Sequence, residues 1–315
     1  MPMKNDIAQM QKKIQQLKKK QDALLLVHNY QRPEIQQVAD VIGDSFGLSQ
    51  KAQQAKEKNI IFCGVDFMAE SALILNPTKN VIHPNPKSKC PMAAMVDPVG
   101  LKALMAQYPG VPVVAYVNTS AAVKALVDVC CTSSNAVKVI GSLPDKKVIF
   151  IPDSNLGLYV QRALRDKQII LWPGYCRTHQ KLSVDQLKAL KMAHPKAVVV
   201  VHPECVPEVI DYADVVASTE GMLAHVRNAK EKEFIIGTER EMVFRLRKEV
   251  PEKIFYQVDT AVCPAMKKIT LKDVLKSMET LEPKIKLSKD IIEKAKVPLQ
   301  RMLDIGRGEA AFKKQ

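Results

Sequence analysis

The chain repeats itself with a period of 86 to 88 residues, and this constrains its fold more than any other feature. An apolar, β-branched segment ending in polar groups occurs three times, as LLLVHNYQ (24–31), PVVAYVNT (112–119) and VVVVHPEC (198–205). A second segment follows each copy, as ADVIGDS (39–45), VDVCCTS (127–133) and ADVVAST (213–219), aligned without gaps. Third segments lie at 59–64, 147–153 and 233–238, and fourth segments at 80–85, 168–174 and 253–258. A single cysteine comes shortly after each fourth segment: Cys90, Cys176 and Cys263. Amphipathic stretches such as 48–58, 136–143 and 222–232 separate the apolar runs.

Short continuous apolar strands alternating with helices indicate parallel sheets covered on both faces. The period is too long for a solenoid unit and suits a small α/β domain. The expected fold is therefore α/β, with three tandem α/β/α sandwiches related by pseudo-threefold symmetry around a central site. The expected boundaries are 1–95, 96–180 and 181–268, with C-terminal helices over 269–315 packing back on the body. A helix over 6–20 should dock through Ile7, Met10, Ile14 and Leu17. Helices are expected at 271–281 and 288–296, with Pro298 opening a last one that stops near Gly306. In parallel sheets ligands collect beyond the carboxyl ends of the strands. His28, Tyr30, Tyr116, Asn118, His202 and Glu204 fall there. Asp40, Asp128 and Asp214 recur at a place that reads as a turn or helix start, and Trp172 reads as core.

Lys and Arg outnumber Asp and Glu by 47 to 33, a formal charge of +14. The lysines are dispersed, zinc-finger spacing is absent and aromatic residues are 5% of the chain. These features favour a solvated basic surface over nucleic-acid binding. No apolar run approaches the ~20 residues of a membrane span. The N-terminus is too charged for a signal peptide, so a cytoplasmic protein is expected. Seven cysteines, an odd number, argue against a disulfide framework. Cys63, Cys130, Cys131 and Cys205 sit in or beside apolar strands and read as packing. Cys90, Cys176 and Cys263 lie in loops, with Lys89, Arg177, Lys267 and Lys268 nearby to favour thiolates. Three thiolates are too few to close a structural zinc site and suit an iron–sulfur cubane with one open iron. A catalytic zinc on three thiolates, or no metal, remain open on spacing alone.

The segments HNYQRPEIQQVADVIGDS, KCPMA, YVNT, CTSSNA, WPGYCRTH, HPEC, ASTEGM and CPAMKKIT, in this order, resemble the quinolinate synthase family over roughly residues 20–281. The resemblance implies three α/β domains around a [4Fe–4S] cluster held by Cys90, Cys176 and Cys263. It implies a transferase-type condensation of iminoaspartate with dihydroxyacetone phosphate to quinolinate, a precursor of NAD. L-aspartate oxidase or aspartate dehydrogenase would then act upstream. It puts His28, Ser45, Tyr116, Asn118, Ser133, His202, Glu204 and Thr219 around the substrate. Tyr30, His202 and Glu204 are the candidate acid–base groups, and His179 a partner to cluster or substrate. Helix capping by Ser45, Ser133 and Thr219 is an ordinary alternative role. His83, His194 and His225 read as structural. The diphthamide-synthesis family also carries one cysteine per repeat, but the HNYQ and HPEC segments favour quinolinate synthase.

Overall fold

The computed structural model describes residues 4–309. Three four-stranded sheets follow one another along the chain. The first contains β1 (Ala23–His28), β2 (Val41–Gly43), β3 (Asn59–Cys63) and β4 (Asn80–Ile82). The second contains β5 (Val113–Tyr116), β6 (Val129–Cys131), β7 (Lys147–Ile151) and β8 (Gln168–Leu171). The third contains β9 (Val198–Val201), β10 (Val215–Val216), β11 (Glu233–Gly237) and β12 (Ile254–Gln257). Their orders, β2-β1-β3-β4, β6-β5-β7-β8 and β10-β9-β11-β12, are one topology written three times. Every strand pairing is parallel, as the apolar runs between helices required. In each sheet the order reverses between the first and third strands, so the first strand ends at the crevice where such folds bind ligands.

The recurrent aspartates do something other than the expected turn or helix start. Asp40, Asp128 and Asp214 each accept the backbone N–H of a first-strand residue, Leu25, Val113 or Val199, at 2.8 Å. Each also donates its own N–H to that residue's carbonyl at 3.0 to 3.1 Å. The aspartate thus fastens a two- or three-residue edge strand to its neighbour, satisfying a backbone donor that the ladder leaves over.

The N-terminal helix, Lys4–Lys20, buries Ile14 against Leu25, Val27 and Val274, with Ile7, Met10 and Leu17 packed beside them. At the other end, Lys289–Arg307 is one helix running through Pro298, not two pieces divided there. Proline inside a helix costs about 3 kcal/mol. Burial of Ala295, Pro298, Leu299, Met302, Leu303 and Ile305 on the same side offsets it. The helix passes Gly306, where a Cβ would lie 2.5 Å from the Phe46 ring, and ends at Gly308 with φ +79°. Trp172 is half-buried, and its indole N–H donates to the Met95 carbonyl at 2.8 Å, tying the second repeat to the loop after Cys90. No helix among the described residues is long and apolar enough to cross a membrane.

Candidate active site

The residues expected at the cluster and around the substrate line one cavity: His28, Tyr30, Ser45, Cys90, Tyr116, Asn118, Ser133, Cys176, His202, Glu204, Thr219 and Cys263. The reason is local. His28, Tyr116 and His202 stand at or just past the carboxyl ends of the first strands, and the turns and bends that follow carry Tyr30, Asn118 and Glu204.

Two of these pairs share a wiring. The Tyr30 amide donates to His28 Nδ1 at 3.2 Å, and the Glu204 amide donates to His202 Nδ1 at 3.3 Å. A ring nitrogen that accepts is unprotonated, so in the neutral ring the hydrogen sits on Nε2. Burial lowers both histidines to about 3, against the pull of Glu204. Both are therefore neutral Nε2–H donors at neutral pH.

The three hydroxyls beyond the second strands are not the helix caps. The caps are Asp44, which accepts from the Gly47 amide at 2.7 Å, and Ser218, which accepts from Gly221 at 3.2 Å. Ser45 and Thr219 are the first residues inside their helices, and Ser133 lies two residues before the cap position Asn135. Capping thus leaves all three hydroxyls free. Thr219 Oγ1 accepts from Asn29 Nδ2 at 2.8 Å, which leaves its hydrogen available to donate. Arg245 in turn donates to Asn29 Oδ1 and to Glu220. Burial, reinforced by Glu220, raises the Asp44 carboxyl to about 6.

A hydrogen-bonded chain crosses all three repeats. The Tyr30 hydroxyl lies 2.7 Å from Thr238 Oγ1, and Thr238 Oγ1 lies 2.8 Å from His179 Nε2. His179 Nδ1 lies 2.8 Å from Glu204 Oε2, and the Tyr116 hydroxyl donates to Glu204 Oε1. His179 stacks on His202 with ring centroids 4.6 Å apart. Burial opposes ionisation of Glu204, yet His179 and His202, with the bonds from His179 and Tyr116, hold its carboxyl well below the usual range. Burial and the Glu204 charge push both Tyr30 and Tyr116 up. Thr238 has Gly64 and Pro152 at its equivalent positions, so no shared side chain marks it in the sequence.

The three loop cysteines are free thiols, half-buried at the cavity wall. Cys263 lies within electrostatic reach of both Cys90 and Cys176. The expected thiolate character is not found. Burial pushes Cys90 up to about 12 and raises Cys176 and Cys263, and nearby amides such as those of Ala93 and Met266 offset it only in part. A bound metal would displace these protons, since a coordinating thiol is deprotonated outright. Cys176, His179 and Glu204 also form a mixed group with donor atoms all within 4.8 Å of one another. Cys63, Cys130, Cys131 and Cys205 are fully buried in or beside strands.

The family model for "Quinolinate synthetase A protein" matches residues 12–304. A quinolinate synthase from Geobacter metallireducens is 50% identical over 295 residues, covering 93% of this chain and 97% of that protein. One from Methanoregula boonei is 48% identical over 300 residues, covering 95% and 99%. One from Dehalococcoides mccartyi is 49% identical over 294 residues, covering 93% and 97%. A family-model match along nearly the whole chain and relatives about half identical over more than nine-tenths of it lead to one conclusion: this chain belongs to the quinolinate synthase family.

Proposed function

We propose that the chain condenses iminoaspartate with dihydroxyacetone phosphate to give quinolinate, phosphate and water in NAD biosynthesis, with a [4Fe–4S] cluster on Cys90, Cys176 and Cys263. One observation carries the reading: three free thiols, one from each repeat, line a single cavity with two neutral histidines and a buried anionic glutamate. The donor chemistry fits the cluster, because three soft thiols from three directions suit iron–sulfur and leave one metal corner open. The mixed Cys176, His179 and Glu204 group fits a separate ion less well. Glu204 is already engaged by Tyr116, and His179 by Thr238. When bound, the cluster supplies a Lewis-acidic iron for oxygen donors of a substrate losing water.

The chain's own residues supply the rest. The Nε2–H groups of His28 and His202, with the hydroxyls of Ser45, Ser133 and Thr219, donate to the carboxylates and phosphate of the substrates. Helix amides behind the hydroxyls add to this anion-binding field. Asn118 Oδ1, buried without a hydrogen-bond partner in the protein, is left to receive a substrate N–H or O–H. Tyr30, Glu204 and His202 are the acid–base groups. Thr238 and His179 connect Tyr30 to Glu204, so a proton taken up at one end is passed toward the other. Iminoaspartate comes from L-aspartate oxidase or aspartate dehydrogenase, and the reaction runs in the cytoplasm, a reading supported by the odd number of cysteines. The domains run 1–95, 96–180 and 181–268, followed by the C-terminal helices.

The test is anaerobic purification, iron and sulfide analysis, and chromatographic detection of quinolinate from the two substrates without S-adenosylmethionine. The expected result is one brown cluster per chain with turnover, both lost in Cys176→Ala. A colourless, iron-free wild-type chain, or a full cluster retained in Cys176→Ala, rejects the reading.

A further inference from the structure

Each cysteine loop is tied to its own repeat by a backbone bond, and in the first and third repeats by a second bond as well. The carbonyl two residues before each cysteine accepts a backbone N–H from the segment just beyond the third strand. Asp66 N donates to Ser88 O at 2.9 Å, Ser154 N to Gly174 O at 2.8 Å, and Arg240 N to Ala261 O at 2.8 Å. The donors are 88 and 86 residues apart, in step with the repeat. The second tie runs the other way, from the cysteine amide to a carboxylate of that same segment. Cys90 N donates to Asp66 Oδ1 at 3.1 Å, and Cys263 N donates to Glu239 Oε1 at 3.2 Å. In the second repeat the Cys176 amide faces the fully buried Asp153. The carboxylate sits one residue earlier in the second and third repeats than in the first, yet faces the same amide.

We propose that Asp66, Asp153 and Glu239 are positioning residues that hold the three cysteine loops in ligating geometry before a cluster is present. This rests on the assignment of Cys90, Cys176 and Cys263 as ligands. The physical case is entropic. Fixing a loose loop residue costs conformational entropy, and three loops ordered only at the moment of ligation would take that cost from cluster affinity. A carboxylate that accepts the ligand residue's own amide fixes its backbone beside the thiol and leaves the sulfur free. The third repeat anchors its carboxylate further, through Lys267 at 2.9 Å and the Glu241 amide at 2.9 Å. Outer-shell partners of this kind typically change metal affinity about 10–100-fold when removed.

Asp66 is the residue to test, because Glu239 also pairs with Lys267. Anaerobically purified wild type, Asp66→Ala and Asp66→Asn are treated with an iron chelator, and cluster absorbance, iron and sulfide are followed. The expected result is loss roughly 10–100-fold faster in Asp66→Ala, with near-wild-type retention in Asp66→Asn, which keeps an acceptor oxygen. Equal loss rates in Asp66→Ala and wild type, or Asp66→Asn failing as badly as Asp66→Ala, overturn the proposal while leaving the cluster assignment intact. A wild-type chain without iron removes the assignment and the proposal together. Should Asp66→Ala not fold, amide hydrogen exchange on the wild-type chain before and after iron removal decides. Slow exchange at Cys90 and Cys263 in both states supports preorganisation, and free exchange after stripping overturns it.

Discussion

Replacing Thr238 by valine removes one oxygen from the middle of the chain joining Tyr30 to Glu204. Thr238 is fully buried and is the bridging atom between the Tyr30 hydroxyl at 2.7 Å and His179 Nε2 at 2.8 Å. Valine has nearly the same shape, so the packing loss is small. The hydroxyl loss strands two buried polar atoms, each costing about 1–3 kcal/mol when unsatisfied. A melting-temperature drop corresponding to a few kcal/mol at most is expected. Turnover should fall further, by about 10²–10⁴, the usual contribution of one acid–base step. Tyr30→Phe breaks the chain at its end and should cost a similar factor. If the residues act as a unit, the double variant should be little worse than either single variant. The assay is anaerobic quinolinate formation, normalised to iron content so that cluster loss is separated from proton transfer. Turnover within about threefold of wild type in Thr238→Val, at full iron content, refutes the relay. So does strict multiplication of the two single effects.

Two further outcomes follow from the geometry. His28 is held neutral with its pKa lowered to about 3, so between pH 6.5 and 3 the unfolded chain binds the proton that the folded chain refuses. Stability is therefore lost as pH falls through that window. At pH 5 the iron-free wild type should have lost about 2 kcal/mol more than iron-free His28→Asn, relative to pH 7; equal pH dependence of unfolding in the two proteins contradicts the neutral assignment. Asp214→Ala strands the buried Val199 amide and should lower stability by about 1–3 kcal/mol in chemical denaturation, whereas an unchanged midpoint would show that the aspartate fastening is dispensable.

The three-sheet architecture was legible because parallel strands buried on both faces leave long β-branched runs, and three copies made each run recognisable. The cavity was legible for the same reason. Strand ends in equivalent repeats converge, so the sequence alone groups His28, Tyr116 and His202. What escaped notice lay where the repeats differ. Thr238 has glycine and proline as counterparts. The carboxylates facing the cysteine amides shift by one residue between repeats, so alignment did not pair them. Asp40, Asp128 and Asp214 did align, but local sequence cannot tell a strand fastening from a turn, since the partner amide is 15 residues upstream. Pro298 misled because propensity speaks only for the isolated helix, and tertiary burial decided otherwise.

The wall of the cavity is contributed by three sheets that share no strand, and this divides the molecule's robustness into two kinds. Strengthening any one sheet raises resistance to unfolding but does nothing to fix the distances between tips that belong to different sheets. Those distances are set at the seams, by bridges such as Trp172 to Met95, Asn29 to Thr219 and Arg245 to Asn29. Changes at seam residues should therefore alter catalytic alignment at nearly constant melting temperature, while core changes should do the reverse.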